Sequence, residues 1–192
     1  MTQPGGGDNV KDRILDEAAG LFVTHGYHGL SMRLIAEAVG VSKAGLYYHF
    51  DDKETLFLAI LLHHIERVGA LVDEARARGG SARDQVRAVL SNILTNMRGS
   101  QRFIRLAEQD AASLHPESRE TMHRAYRQRF LGPIEAILEQ GVERGELRSL
   151  DPAQTTWMLL GMAFSGLSAS PERVPAVVEL IERVFFEGVE AR

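Results

Sequence analysis

An all-α fold is predicted for this chain, with a three-helix unit at the N-terminus and a larger helical domain after it, about nine helices in all. Three observations lead there. Apolar residues recur at three- and four-residue spacing in one segment after another, and no stretch alternates as a half-buried strand would. The breaks fall on helix-stopping or helix-capping residues: Gly26, Gly40, Gly79-Gly80, Gly99-Ser100, Gly145, Asp151-Pro152 and Ser170-Pro171. Finally, the stretch 31–53, SMRLIAEAVGVSKAGLYYHFDDK, reads as two short helices around a tight turn. The expected division is a disordered glycine-rich tail over 1–8, a helix-turn-helix unit over 9–53 and the larger domain over 54–192.

The first helix opens at Asp8 or Asn9. Val10, Ile14, Ala18 and Phe22, joined by Leu15 and Leu21, form its apolar stripe, and Gly26 closes it after His25. It braces the two helices that follow. His25 and His28 are three apart, but no third ligand stands nearby, so they read as surface histidines and no metal site is expected.

Ser31 is placed to cap the second helix, with Leu34, Ile35, Ala38 and Val39 as its buried contacts. Gly40 supplies the left-handed turn that ends it. Ser42 caps the third helix, on which Leu46 and Phe50, four apart, share the buried face. At about 100° per residue, Ala44, Tyr47 and Tyr48 point away from that face, with Lys43 and His49 at its flanks. Small, aromatic and basic residues on an outward face suit a helix lying in a DNA major groove.

The run from Val41 to Phe50, VSKAGLYYHF, followed by Lys53, Glu54 and Leu56, resembles the recognition-helix signature of the TetR family of transcriptional regulators. The specific resemblance covers roughly residues 10–60; beyond it only length and helical layout are similar. It implies a homodimer that binds double-stranded operator DNA and responds to a small-molecule ligand, more commonly as a repressor. The expected DNA face comprises Arg33, Ser42, Lys43, Ala44, Gly45, Tyr47, Tyr48, His49 and Lys53. Arg33 and Lys43 would reach base or phosphate, and His49 and Lys53 phosphate.

Asp51 or Asp52 caps the fourth helix, whose apolar residues run from Leu56 and Phe57 to Leu71 and Val72. Ser81 and Asp84 form a capping box for the fifth, with Val86, Val89, Leu90, Ile93, Leu94 and Met97 along it. A shorter helix turns Phe103, Ile104, Ala107 and Ala111 inward. A long helix then runs from Pro116 to about Arg144, bent where Gly132-Pro133 removes a backbone hydrogen bond. Asp151-Pro152 and Ser170-Pro171 open the last two helices. The first of these carries almost no charge from Trp157 to Leu167, which marks it as buried, here against a second copy. The expected dimer interface is Trp157, Gly161, Phe164, Leu167, Val177, Ile181, Val184 and Phe185. The ligand pocket implied by the resemblance has Met97, Phe103, Met122, Tyr126, Trp157 and Phe164 as candidates.

Composition is that of a soluble globular chain, with 44% hydrophobic and 25% charged among 192 residues. There is no cysteine, so disulfides and thiol redox chemistry are excluded. The formal net charge is -4, and within residues 1–54 five lysines and arginines face eight aspartates and glutamates. A local positive patch on an acidic body is therefore expected, with modest non-specific affinity for DNA. No signal peptide is read at the N-terminus, and the longest apolar run, Leu56 to Leu62, is too short for a bilayer. A cytoplasmic protein without membrane partners follows. No nucleotide-loop, zinc-protease, hydrolase or dinucleotide motif is present, so neither catalysis nor a cofactor is expected. The rival classes, an all-α enzyme and a structural interaction protein, separate from the regulator by retention on duplex DNA with sequence preference.

Overall fold

The computed structural model describes residues 6–97 and 100–189. Among them are ten α-helical segments, nine if a π-linked pair counts as one: α1 Gly6–His25, α2 Met32–Val39, α3 Lys43–His49, α4 Lys53–Ala77, α5 Ala82–Asn96, α6 Gln101–Asp110, α7 Pro116–Tyr126, α8 Gly132–Glu143, α9 Pro152–Gly166 and α10 Val174–Val189. The first helix begins at Gly6, before the expected Asp8 or Asn9, so the expected tail shortens; residues 1–5 lie outside the described part. The Gly99 break also lies outside it.

The chain divides into two compact units. One comprises the residues up to His64 together with Arg102–His123, and the other Ile65–Gln101 with Arg124–Arg192. The expected boundary after residue 53 is thus not where packing divides. The first unit is built on Phe22, Phe50 and Phe57, all essentially excluded from water, with Ile14, Ile35, Leu46, Leu56 and Ile60 around them. Phe22 and Phe57 have ring centroids 4.9 Å apart, and burying each such side chain contributes about 1.5–3 kcal/mol. Phe103, Leu106 and Leu114, far along the chain, complete the same core.

In the second unit α5 packs on α10, with Val86, Val89, Leu90 and Leu94 buried on one and Val178, Ile181 and Phe186 on the other. The capping box at Ser81 and Asp84 forms as the spacing requires. Asp151 accepts from the Gln154 N–H at 3.0 Å and opens α9. Ser170 does not cap: its hydroxyl lies 2.5 Å from Glu172, and a short 3-10 turn, Pro171–Arg173, intervenes before α10. The long helix expected over 116–144 is interrupted by five π-helical residues, Arg127–Leu131, immediately before Gly132-Pro133. Proline has no N–H to give to the carbonyl four residues back, and the wider π turn absorbs that loss.

The fourth helix is the one element among the described residues long and apolar enough, by length and composition, to cross a membrane, with mean hydropathy 1.5 over its best window. Reading only the uninterrupted run 56–62 missed this. Its apolar positions go into protein cores: Leu56, Phe57, Ile60 and Leu61 in the first unit, Val72 and Ala75 in the second.

One buried carboxylate ties α5 to α10. Glu182, only 2% exposed, accepts from Arg87 Nε at 2.6 Å and from Arg83 at 3.1 Å. The Arg87 hydrogen bond holds its carboxyl below the ordinary 4.5, against the opposing effect of burial. A depressed folded pKa means the contribution is fully present above pH 4.5 and is lost as pH falls through the folded value. Glu182→Gln should lower stability at pH 7 by about 1–2 kcal/mol and flatten the acid limb of a melting-temperature profile below pH 4.5.

Candidate nucleic-acid interface

The α2–α3 pair is set by three local devices. Ser31 Oγ accepts the Leu34 N–H at 3.3 Å, and Ser42 Oγ accepts that of Gly45 at 2.9 Å. Between them Gly40 adopts φ 72°, and the Val41 N–H reaches back to the Ala36 carbonyl at 3.0 Å. A side chain at Gly40 would be strained there. Gly45 has a separate reason: a Cβ on it would come within 3.1 Å of Ser42 Oγ and crowd the cap.

Ile35, Ala36, Val39, Leu46 and Phe50 are buried beneath the pair. Leu34 and Ala38, expected inside, are instead exposed on α2, and Met32 and Ala36 fill the core. The outward face of α3 carries Lys43, Ala44, Tyr47 and Tyr48, with Gly45 and His49 half-buried at its margin. Tyr48 is 85% exposed, and its ring meets His49 edge-on at 5.1 Å. Lys43 Nζ lies 5.7 Å from the Tyr47 ring centroid. Arg33 pairs with Glu37 at 3.3 Å, but both side chains are well exposed, so the bond is weak in water and exchangeable for phosphate. Lys11, which the sequence reading passed over, lies with its ammonium 5.9 Å from the Phe50 ring at the end of α3.

Lys53 is placed differently from the sequence expectation. Its ammonium donates to the carbonyls of Tyr27 at 2.8 Å and Leu30 at 2.9 Å, and sits 4.3 Å from the Tyr27 ring centroid. It therefore holds the α1–α2 loop. Asp52, not Asp51, caps α4: its carboxylate takes the Thr55 N–H at 2.7 Å, which also holds that carboxyl below the usual range. Burial, then the Glu54 and Asp52 carboxylates, push the Tyr27 phenol up, so the ring at the Lys53 ammonium stays neutral.

The other sequence candidates are shared between the two units. Phe103 is buried in the first unit, 4.2 Å centroid to centroid from His64, and Met122 packs on that unit's core. Met97 and Tyr126 belong to the second unit, Met97 buried and Tyr126 half-buried with its ring 6.4 Å from Trp157. Trp157, Gly161 and Phe164 are exposed on α9, and Val184 on α10. Leu167, Ile181 and Phe185 are buried within their own unit and Val177 half-buried, because their side of α9 and α10 faces α5. Met158, 69% exposed, and Leu180 join the outward face, though apolar patterning alone did not single them out.

Residues 14–60 match the model of bacterial regulatory proteins of the tetR family, and residues 79–165 that of the tetracyclin repressor-like C-terminal domain. A TetR family regulator from Thermus thermophilus, PfmR, superimposes with a TM-score of 0.78 at 30% identity, over 92% of this chain and 98% of that one. The chain belongs to the TetR family. It is thus a DNA-binding transcriptional regulator by family and not an enzyme. The transcriptional repressor KstR2 of Rhodococcus jostii is 27% identical over 78% of this chain and 76% of its own length. The repressor AcnR of Corynebacterium glutamicum is 39% identical over 66 residues, 34% of this chain and 35% of AcnR, so the similarity spans about a third of that relative. The match over residues 14–60 takes in the whole of α2 and α3.

Two substitutions distinguish the expected roles of Lys53 and Lys43. Lys53→Ala should cost about 1–3 kcal/mol of stability, measured by urea unfolding, through loss of two charge-assisted bonds. Lys43→Ala should leave stability unchanged and reduce the slope of log affinity against log salt by about one.

Proposed function

We propose that this chain is a homodimeric repressor, released from a palindromic operator by a small, mainly apolar molecule. The observation that carries the DNA part is the free face of α3: Lys43, Ala44, Tyr47 and Tyr48 stand exposed on a helix whose other side is anchored by Leu46. Alanine and glycine permit close approach to base edges, the tyrosines offer flat surfaces to bases or sugars, Lys43 and Arg33 supply charge toward phosphate, and His49 offers a ring nitrogen. KstR2 and AcnR, both repressors, favour that sign of regulation. A cytoplasmic location follows from that role.

Selection from a random-sequence duplex pool by the full chain should enrich a palindrome whose half-sites present successive major grooves, about 10 base pairs apart, on one side. Ala44→Glu should abolish retention of that duplex with no change in melting temperature. An unenriched pool would overturn the reading.

Dimerisation rests on the outward apolar face of α9 and α10. Trp157, Met158, Gly161 and Phe164 share one side of α9, and Leu180 and Val184 one side of α10. Apolar groups this large and contiguous favour burial against a second copy, two helices from each chain making a four-helix bundle. Sedimentation should show a dimer at micromolar concentration. Gly161→Arg and Val184→Asp should give folded monomers, since a Cβ at Gly161 meets nothing within 4 Å among the described residues.

The effector part draws on Thr156, fully buried on α9 with its hydroxyl unpartnered among the described residues. A polar atom of a bound molecule would satisfy it. Met97 and Tyr126 remain the candidate apolar lining in that unit, Trp157 and Phe164 standing on the outward face of α9. A thermal-shift screen of small hydrophobic metabolites should find a stabilising compound that weakens operator binding; a tenfold release corresponds to about 1.4 kcal/mol of coupling.

A further inference from the structure

Residues 102–123 lie within the match to the family's C-terminal domain, yet they fold with the N-terminal unit. Polar contacts join this segment to the loop that leads into the reading helices. Gly26, at φ 68°, ends α1, and its own N–H closes on Phe22 at 2.8 Å. That turn takes the next N–H, of Tyr27, out of the helical ladder, where a buried or half-buried donor needs a partner. Asp110 provides it: its carboxylate accepts the Tyr27 N–H at 2.8 Å across 83 residues of sequence. An aspartate at a helix junction commonly caps its own chain, but Asp110, at the end of α6, makes no such bond to the 3-10 turn that follows. Beside it His28 Nε2 and Ser113 Oγ lie 3.0 Å apart. Glu54 accepts from the His115 N–H at 3.0 Å and the Ser118 hydroxyl at 2.6 Å, fixing the segment onto the start of α4.

We propose that Asp110 is a positioning residue for operator recognition, holding the 26–30 loop so that α2 and α3 meet DNA at one set orientation. The role rests on the reading of α3 as the DNA-reading helix. Asp110 acts through the Tyr27 N–H, while the carbonyl of the same residue, in the next peptide group, is held by Lys53. Specific recognition requires several side chains to reach base edges together, whereas non-specific binding tolerates a tilted head. Loss of the clamp should therefore fall mainly on specificity.

The test uses the full chain and the duplex that the wild type enriches from a random pool. Asp110→Ala should lower affinity for that duplex at least tenfold, leave affinity for an unrelated duplex of equal length within twofold, and speed hydrogen exchange at the Tyr27 amide. Asp110→Asn, whose amide oxygen can accept the same N–H, should restore both the affinity for the enriched duplex and the slow exchange at Tyr27. Wild-type affinity in Asp110→Ala would overturn the proposal. So would equal loss on both duplexes together with a lowered melting temperature, the signature of a merely structural contact. If the wild type enriches no duplex, the DNA-reading assignment itself falls and takes this role with it, an outcome distinct from enrichment without an Asp110 effect.

Discussion

The ammonium of Lys53 is the fastening on which the DNA-binding unit depends. It stands at the first residue of α4, reaches back to the carbonyls of Tyr27 and Leu30, and rests on the Tyr27 ring. Those carbonyls belong to the turn between α1 and α2, so one cation joins the brace, the turn and the connecting helix. A short loop has little apolar surface with which to hold itself, and its exposed peptide groups would otherwise sample many orientations. Charge-assisted bonds from a half-buried ammonium remove that freedom at little cost in desolvation. The aromatic stack of Tyr27 on Phe22 and Phe57 then transmits the constraint to the core.

Local features of this architecture are readable in the sequence because they are enforced within one turn of helix. Ser31, Ser42, Ser81 with Asp84, and Asp151 cap where they do through bonds three residues long. The outward set on α3 follows from helical geometry once Leu46 is anchored. Long-range choices leave no such trace. Nothing in the spacing of Asp110 announces that it pairs with an amide 83 positions earlier. Likewise Lys53 has the same sequence context whether its ammonium faces solvent or folds back onto a turn. Gly132-Pro133 marks a disturbance, but periodicity does not distinguish a bend from the π-helical stretch that precedes it.

The last two helices show a different limit. An amphipathic helix declares its buried side by contrast, and α9 lacks contrast from Trp157 to Leu167. Sequence therefore marks the helix as wanting burial all round without saying which residues satisfy it inside the chain. The fold divides them: Leu159 and Ala163 go inward while Trp157 and Met158 stay outside, and on α10 Ile181 and Phe186 go inward while Leu180 and Val184 stay outside. The ion pairs at Glu182 lie on the inward side, so the α5–α10 contact is made within the chain by both charge and apolar packing.

Engagement of Lys53 within the protein also bears on how such a regulator would be distributed along a chromosome. Each cation withheld from phosphate removes about one unit from the salt dependence of binding, and this head has few to begin with. On the proposed reading of α3, such a head, acidic overall and aromatic at its tip, should be weakly retained by arbitrary sequence. The genome, which for a strongly basic protein acts as a large sink of competing sites, then withdraws little of the pool. On that reading, modest copy numbers should suffice to fill an operator.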